Sequence, residues 1–479
     1  MKVVLISAPY LDVYGSINIG RNHTFALGVG YIASYLKRGG HEVSILDPEP
    51  LGMTDGDIRT YLRMKKPDLV GVSSATPNFK GAQKMGLIAK EDTDALIVVG
   101  GVHASALPEE VLKRSPQFDL VIIGEGEETM LELCNSIEER ASGLEEIKGL
   151  MLRKDGAFYR TPPRPLIQEL DNIPSPARDL INLDLYRPQV HLYRGRKSAT
   201  MITSRGCPAK CTFCATEVTM GTRFRSHSPK YVVSEIEHLV KNHGVQDIII
   251  VDDTFTINSN RVKKICGLIL EKKLDIGWFC FARVNNVSYE LFSLMKEAGC
   301  FSVFFGVESG DEQVLKNIKK GTTLEQSRNA MRIANQLGLK TMAGFMIGNP
   351  GDNHQTIKKT IDFALELNPI IGSFNIMTPF PGTEEYHRNL EHNPSEMMNW
   401  DNYVPKGVTP LIRLENLSKA NLQRYISKAY IKFYLRPSQI YRIIKNLSSF
   451  AEFVVYVRGA LGLFSRIREW IVASRKGDK

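Results

Sequence analysis

Short apolar runs alternate with amphipathic stretches twice along this chain, and few folds accommodate that rhythm. The first series is Val3–Ile6, Val43–Leu46, Leu69–Val72, Leu96–Val99 and Leu120–Ile123, each bounded by Gly, Pro or charged residues. Runs of this length read as strands buried on both faces. The stretch Ala26 to Lys37 has helical spacing and ends at Gly39 and Gly40, a helix stop. Residues 1–145 are therefore expected to form a doubly wound, parallel α/β sheet with right-handed crossovers.

The second series is Ala199–Thr203, Ile248–Val251, Gly277–Phe281, Val303–Val307, Thr341–Ile347 and Ser373–Met377, with helical stretches such as Pro229–His243 and Leu324–Leu337 between them. Six strand–helix units over residues 196–395 predict a partial (β/α)6 barrel, short of the full eight. Between the two series, Pro162, Pro163, Pro165, Pro174 and Pro176 crowd one stretch. Dense proline denies regular structure, so residues 146–195 read as an extended linker. Residues 396–479 read as a helical, basic C-terminal region with a break near Pro437.

Charge is placed unevenly. The 479 residues carry 61 Lys+Arg and 52 Asp+Glu, a net +9. Residues 421–479 hold 12 of the basic and 3 of the acidic groups, which is the whole of that excess. The body is balanced, so a basic groove for nucleic acid is not expected. The hydrophobic content of 43% supports sizeable cores. No uncharged apolar run reaches the ~18 residues of a membrane span. Met1 to Ser7 reads as a strand, without the charged and long apolar parts of a secretory signal, and a cytoplasmic location is expected, with membrane association through the tail as an alternative.

Three of the seven cysteines, Cys207, Cys211 and Cys214, stand in a CxxxCxxC spacing, with Phe213 before the last. Iron–sulfur clusters are held by thiolates, usually four. Three in one loop, with no fourth close behind, would leave one iron of a cubane open, and open metal positions are where chemistry occurs. Zinc sites more often show paired CxxC units with a second Cys or His pair, and Cys134, Cys266, Cys280 and Cys300 show no such pairing. An odd cysteine count without a secretory signal disfavours disulfides. Those four read as small buried hydrophobes.

In open α/β sheets ligands bind beyond the carboxyl ends of the strands. In the first series those ends hold Ser73, Ser74 and Thr76, then Gly100, Gly101 and His103, then Gly124, Glu125 and Gly126. Ordinary turns use the same residues, but their recurrence on one edge predicts a binding face. In the second series the ends hold the cysteine loop, Asp252 and Asp253, Arg283, Glu308, and Gly348 with Gly351, again on one rim.

From Met1 to about Tyr386 the chain resembles the cobalamin-dependent radical S-adenosylmethionine (SAM) enzymes. The resemblance rests on the CxxxCxxC loop with Phe213, on Leu27-Gly-Val-Gly-Tyr31, Val70-Gly-Val-Ser-Ser74, Gly100-Gly-Val-His103 and Gly124-Glu-Gly-Glu127, and on Pro379-Phe-Pro-Gly-Thr383-Glu. It implies a 4Fe-4S cluster on Cys207, Cys211 and Cys214. It implies SAM beside Phe213, Asp252, Arg283, Glu308 and Gly348, with Glu308 on the ribose hydroxyls. It implies cobalamin against Ser73, Ser74, Thr76, Gly100, Gly101, His103, Gly124, Glu125 and Gly126. The loop Pro9 to Gly15 lacks the DxHxxG pattern that ligates cobalt with histidine in the wider cobalamin-binding group, so no such ligand is expected. The implied reaction is methyl transfer to an unactivated carbon through a 5′-deoxyadenosyl radical and methylcobalamin. Oxidative cyclisation or ring rearrangement, as in porphyrin cyclases, is the alternative. A non-catalytic iron–sulfur or cobalamin sensor is more remote. A small-molecule substrate, lipid or tetrapyrrole, and an electron donor such as flavodoxin or ferredoxin are the implied partners. The tail alternates basic and apolar positions, which fits either a membrane-surface helix or a cap packed on the barrel.

Overall fold

The computed structural model of the chain describes residues 1–10, 23–140, 143–188, 192–403, 410–445, 453, 454 and 457. The first sheet contains β1 (Lys2–Ser7), β2 (Glu42–Leu46), β3 (Leu69–Ser73), β4 (Leu96–Gly100), β5 (Leu120–Ile122), β6 (Leu150–Lys154) and β7 (Ala157–Arg160), in the order β2-β1-β3-β4-β5-β6-β7. Strands β1 to β5 pair in parallel, as expected from their continuous apolar runs. Helices cover both faces. Leu27–Arg38 and Glu127–Glu138 lie over one core, and Asp55–Lys65 and Phe79–Asp92 over the other.

The sheet does not stop near residue 145. Strand β6 pairs antiparallel with β5, and β7 antiparallel with β6. The turn between them uses Asp155 and Gly156, both at positive φ, the conformation that a two-residue hairpin demands. The stretch read as linker thus begins with an edge hairpin. From Thr161 to Lys197 the described residues form no paired strand and include three short 3-10 turns.

The second sheet holds β8 (Ser198–Met201), β11 (Asp247–Ile250), β12 (Gly277–Ala282), β13 (Cys300–Glu308), β14 (Lys340–Ile347) and β15 (Ile371–Ile376), all parallel and in that order. These are the six strands that the sequence predicts. Two residues apiece form β9 (Ser204–Arg205) and β10 (Arg225–Ser226), an antiparallel pair that brackets the cysteine loop. Because β8 and β15 do not pair, the barrel is an open arc.

The helix Lys419–Tyr434 lies on β15 and buries Leu422, Ile426, Ala429 and Phe433. Burying a side chain such as Phe433 contributes about 2 kcal/mol. The Tyr430 hydroxyl accepts from the Phe374 amide and donates to the Phe374 carbonyl, at 3.3 and 3.1 Å. Tyr434 does the same at Gly372, at 3.2 and 3.0 Å. An edge strand leaves such groups free, and here the helix satisfies them. This part of the tail is a cap. Phe450, Leu461, Phe464 and Trp470, which belong to the alternating apolar positions expected of the tail, lie outside the described residues, as does the loop after Pro9 from residue 11 onward.

Candidate functional site: the rim between the two sheets

The carboxyl ends of both sheets open toward one cavity of about 460 Å³. The first sheet contributes Ser73, Gly100, Gly101, Gly124, Glu125 and Gly126 to its wall, and the barrel contributes Thr200, Ile202, Arg205 and Val251. Thr219 and Met220 come from the short helix Thr216–Met220 that follows the cysteine loop. Gly101 shows why this wall is backbone: its φ is +102°, and a Cβ there would lie 2.2 Å from the Ser74 carbonyl oxygen.

Three expected members of this face point elsewhere. His103 is fully buried, with Nδ1 3.1 Å from the Thr76 hydroxyl. Its ring packs 4.2 Å from Phe79 and 4.7 Å from Trp400 between centroids. Burial lowers its pKa to about 3, which keeps it neutral. Thr76 is spent on His103, and Ser74 is buried with its hydroxyl unpaired. None of the three is among the cavity-lining residues.

The cysteine loop is held by backbone bonds from three directions. Cys207 N donates to Gly221 O at 3.4 Å, Thr212 N to Ile318 O at 3.1 Å, and Glu385 N to Thr212 O at 3.1 Å. Cys207 and Cys211 are half-buried and Cys214 is exposed, with all seven cysteines free. Among the described residues no three Cys, His, Asp or Glu groups converge to hold one ion. A zinc ion needs its sulfurs within about 2.3 Å. Three free thiols on one loop are the type of donor that an iron–sulfur cluster uses. The expected motif Pro379 to Thr383 closes over this region, since a Cβ on Gly382 would lie 2.6 Å from Val218 and 3.3 Å from Ala106.

Around Cys211 the barrel rim gathers Arg283, Glu308 and Phe213, and the residue that joins them is Lys320, which the sequence reading missed. Arg283 Nη1 lies 3.8 Å from Cys211 Sγ, and its other Nη donates to the Lys320 carbonyl. Lys320 Nζ donates to Glu308 Oε1 at 2.8 Å and sits 5.9 Å from the Phe213 ring centre. Glu308 holds φ at +70° beside a register shift in β13. Non-glycine residues in that region cost about 1–3 kcal/mol and cluster at functional sites. Lys320 follows no strand directly, so no strand-end pattern marked it.

Two of the residues expected beside SAM, Asp252 and Gly348, are engaged within the protein. Asp252 is 1% exposed, and its carboxylate accepts from the Thr203 amide (2.5 Å), the Thr203 hydroxyl (2.6 Å) and the Ser204 hydroxyl (2.5 Å). Burial raises its pKa, against Arg261 and these donors. It anchors the strand leading into the cysteine loop. Its neighbour Asp253 is exposed and accepts from Thr216 at 2.8 Å. At Gly348 a Cβ would meet Ile412 at 2.6 Å, so the C-terminal region packs closely against this glycine.

Comparisons with known proteins agree with this division. Residues 201–364 match the radical SAM superfamily and residues 21–134 the B12 binding domain. The chain is 35% identical to an uncharacterized methyltransferase of Pyrococcus horikoshii, over 97% of this chain and 99% of that protein. It is 28% identical to the anaerobic magnesium-protoporphyrin IX monomethyl ester cyclase of Rubrivivax gelatinosus, over 91% and 78%. The cobalamin-dependent SAM radical enzyme OxsB, with aqua-cobalamin and SAM bound, shares the fold at a TM-score of 0.71 and 19% identity, over 99% of this chain and 79% of that one. The chain belongs to the radical SAM superfamily, in the group that carries a B12-binding domain ahead of the radical SAM domain. It is a radical SAM enzyme, and its cofactors are a 4Fe-4S cluster, SAM and cobalamin.

Proposed function

We propose that this enzyme methylates an unactivated carbon of a small, poorly soluble molecule. The observation that carries the reading is a cavity walled by both sheets: the B12-binding face shares it with Arg205, which leads into the cysteine loop, and with Thr219 and Met220, which follow it. When bound, the three cofactors supply an organic radical and a methyl group. The protein's part is to hold and to exclude. Cys207, Cys211 and Cys214 hold the cluster. Arg283 sets a positive charge beside Cys211. Lys320 fixes Glu308, whose second oxygen is left to accept from hydroxyl groups. Leu5, Val72, Val98, Ile122 and Met130 keep the first-domain side of the cavity apolar, which excludes water from reactive species.

A one-electron donor of the flavodoxin or ferredoxin kind is part of this proposal. So is contact with a lipid surface, supported by Leu435, Ile440, Tyr441 and Ile444, which are exposed beside the capping helix. Among the described residues no helix is long and apolar enough to cross a membrane. Cyclisation is the second reading, supported by the cyclase relative. The test is anaerobic reconstitution with iron, sulfide and cobalamin, followed by SAM and dithionite. Formation of both 5′-deoxyadenosine and methylcobalamin is expected. 5′-Deoxyadenosine without methylcobalamin favours the cyclase reading, and absence of both overturns the enzymatic one.

A further inference from the structure

Two glutamates of the first domain and two arginines of the barrel form a buried ionic group at the cavity, whose wall includes Glu125, Glu127 and Arg205. Arg205 lies on β9, two residues before Cys207. Its guanidinium donates to Glu125 Oε1 at 2.9 Å and to Glu127 Oε1 at 2.6 Å. Arg225, opposite Arg205 in the β9–β10 pair, donates to both oxygens of Glu125 at 2.9 and 3.0 Å, and to the carbonyls of Ile167 and Met220 at 2.5 and 2.8 Å. All four side chains are no more than 6% exposed. The Arg205 guanidinium also lies 5.3 Å from the Tyr31 ring centre, and the Tyr31 hydroxyl donates to the Ile202 carbonyl at 3.2 Å. Burial opposes the charge on Arg205, but Glu127 and Glu125 outweigh it and raise its pKa.

Glu125 and Glu127 are therefore not free to meet a ligand as carboxylates. Their partner is the strand that feeds the cysteine loop. Residues 203–205 are tied in opposite directions: Thr203 and Ser204 to Asp252 in the barrel, and Arg205 to the first domain. Buried ion pairs add little net stability compared with apolar packing, so stability does not account for this arrangement. Geometry does. Two residues of chain span at most about 7 Å, so the Arg205 contacts limit how far Cys207, the first cysteine of the loop, stands from the Gly124–Gly126 turn. We infer that Arg205 is a positioning residue that fixes the separation and angle between the cluster site and the cobalamin site. This inference rests on the methyltransferase reading.

The test uses the full-length holoenzyme, its Arg205→Lys variant, and its Glu127→Gln variant, which keeps the shape and removes one charge. Iron and cobalamin contents are measured first and are expected within twofold of the parent. Pulsed electron paramagnetic resonance then reads the dipolar interaction between the dithionite-reduced cluster and cob(II)alamin. A narrow distance distribution is expected in the parent and a broadened or shifted one in both variants. Methylcobalamin formed per 5′-deoxyadenosine is expected to fall about tenfold to a hundredfold, as for ångström-scale misplacement. An unchanged distance distribution in both variants overturns the inference; a change in Arg205→Lys alone upholds it, since the amide oxygen introduced by Glu127→Gln can still accept from Arg205. A parent that yields neither cluster nor cobalamin signal instead overturns the reading beneath it.

Discussion

The two sheets present their carboxyl ends to the same cavity but build them from opposite materials. At the first sheet the ends are backbone: Gly100, Gly101 and Gly124 leave space, and the titratable groups nearby are buried as neutral species or bound to arginine. At the barrel the ends are charged side chains already engaged with one another: Arg283 with Cys211, Lys320 with Glu308, Asp252 with Thr203 and Ser204. A large cofactor that must be surrounded calls for missing side chains. Small cofactors that carry charge and change their bonding call for groups held in place beforehand. A shaped void thus stands at the end of one sheet and a preset field at the end of the other.

The strongest way to separate the halves is Cys211→Ser. Cluster iron and 5′-deoxyadenosine formation are expected to fall to background while cobalamin binding, followed by its visible spectrum, persists. Loss of cobalamin as well would mean that the two faces are not independent. Next, Gly101→Val should destroy the first face alone. The positive φ and the Ser74 carbonyl contact cost about 2 kcal/mol or more. Cobalamin content should drop sharply with iron content unchanged; normal cobalamin retention would contradict a backbone-built wall. On the barrel side, Lys320→Met leaves Glu308 unpaired at the rim. A lost charged hydrogen bond costs about 1.5–3 kcal/mol, so the KM for SAM should rise about tenfold or more, and an unchanged KM removes Lys320 from the site.

A pH experiment sharpens the contrast further. Asp47 follows β2 and is buried against Tyr186, whose hydroxyl donates to it at 3.0 Å. Burial raises its pKa from 3.8 to about 7, against that hydrogen bond. Between those values the folded chain binds a proton that the unfolded chain has released. The stability that Asp47 gives is therefore full below pH about 3.8 and is lost as pH rises through about 7. Asp47→Asn should be more stable than the parent by about 2 kcal/mol at pH 8, with the gain vanishing near pH 4 in urea titrations. The smallest effect is expected at the barrel edge, where Tyr430→Phe removes one hydroxyl worth about 1 kcal/mol, read by the same titrations.

Much of this was legible because it is local. Apolar runs of four residues mark buried strands, and three cysteines within eight residues mark a cluster loop without any tertiary knowledge. The hairpin β6–β7 was legible too, through Asp155-Gly156 between alternating residues, but the neighbouring prolines drew it into the linker. Lys320, Arg205 and Glu127 were not legible as site residues, because their partners lie 12, 80 or 78 residues away. Asp252 misled for the same reason. A strand-end carboxylate looks available until the fold shows that three donors hold it. His103 sat in a glycine-rich turn that does line the cavity, yet its side chain turns back toward Phe79 and Trp400. Sequence marks the turn and not the direction of the ring.

The tyrosine hydroxyls on β15 have a consequence for association. A bare parallel edge is a template on which a second molecule can zip. Tyr430 and Tyr434 occupy its donors and acceptors at two alternate positions, Phe374 and Gly372, so the helix serves as a counterfeit strand that offers no further edge of its own. The Lys419–Tyr434 helix thus guards this edge: a chain ending before residue 419 would expose a ready-made template and is expected to self-associate through it.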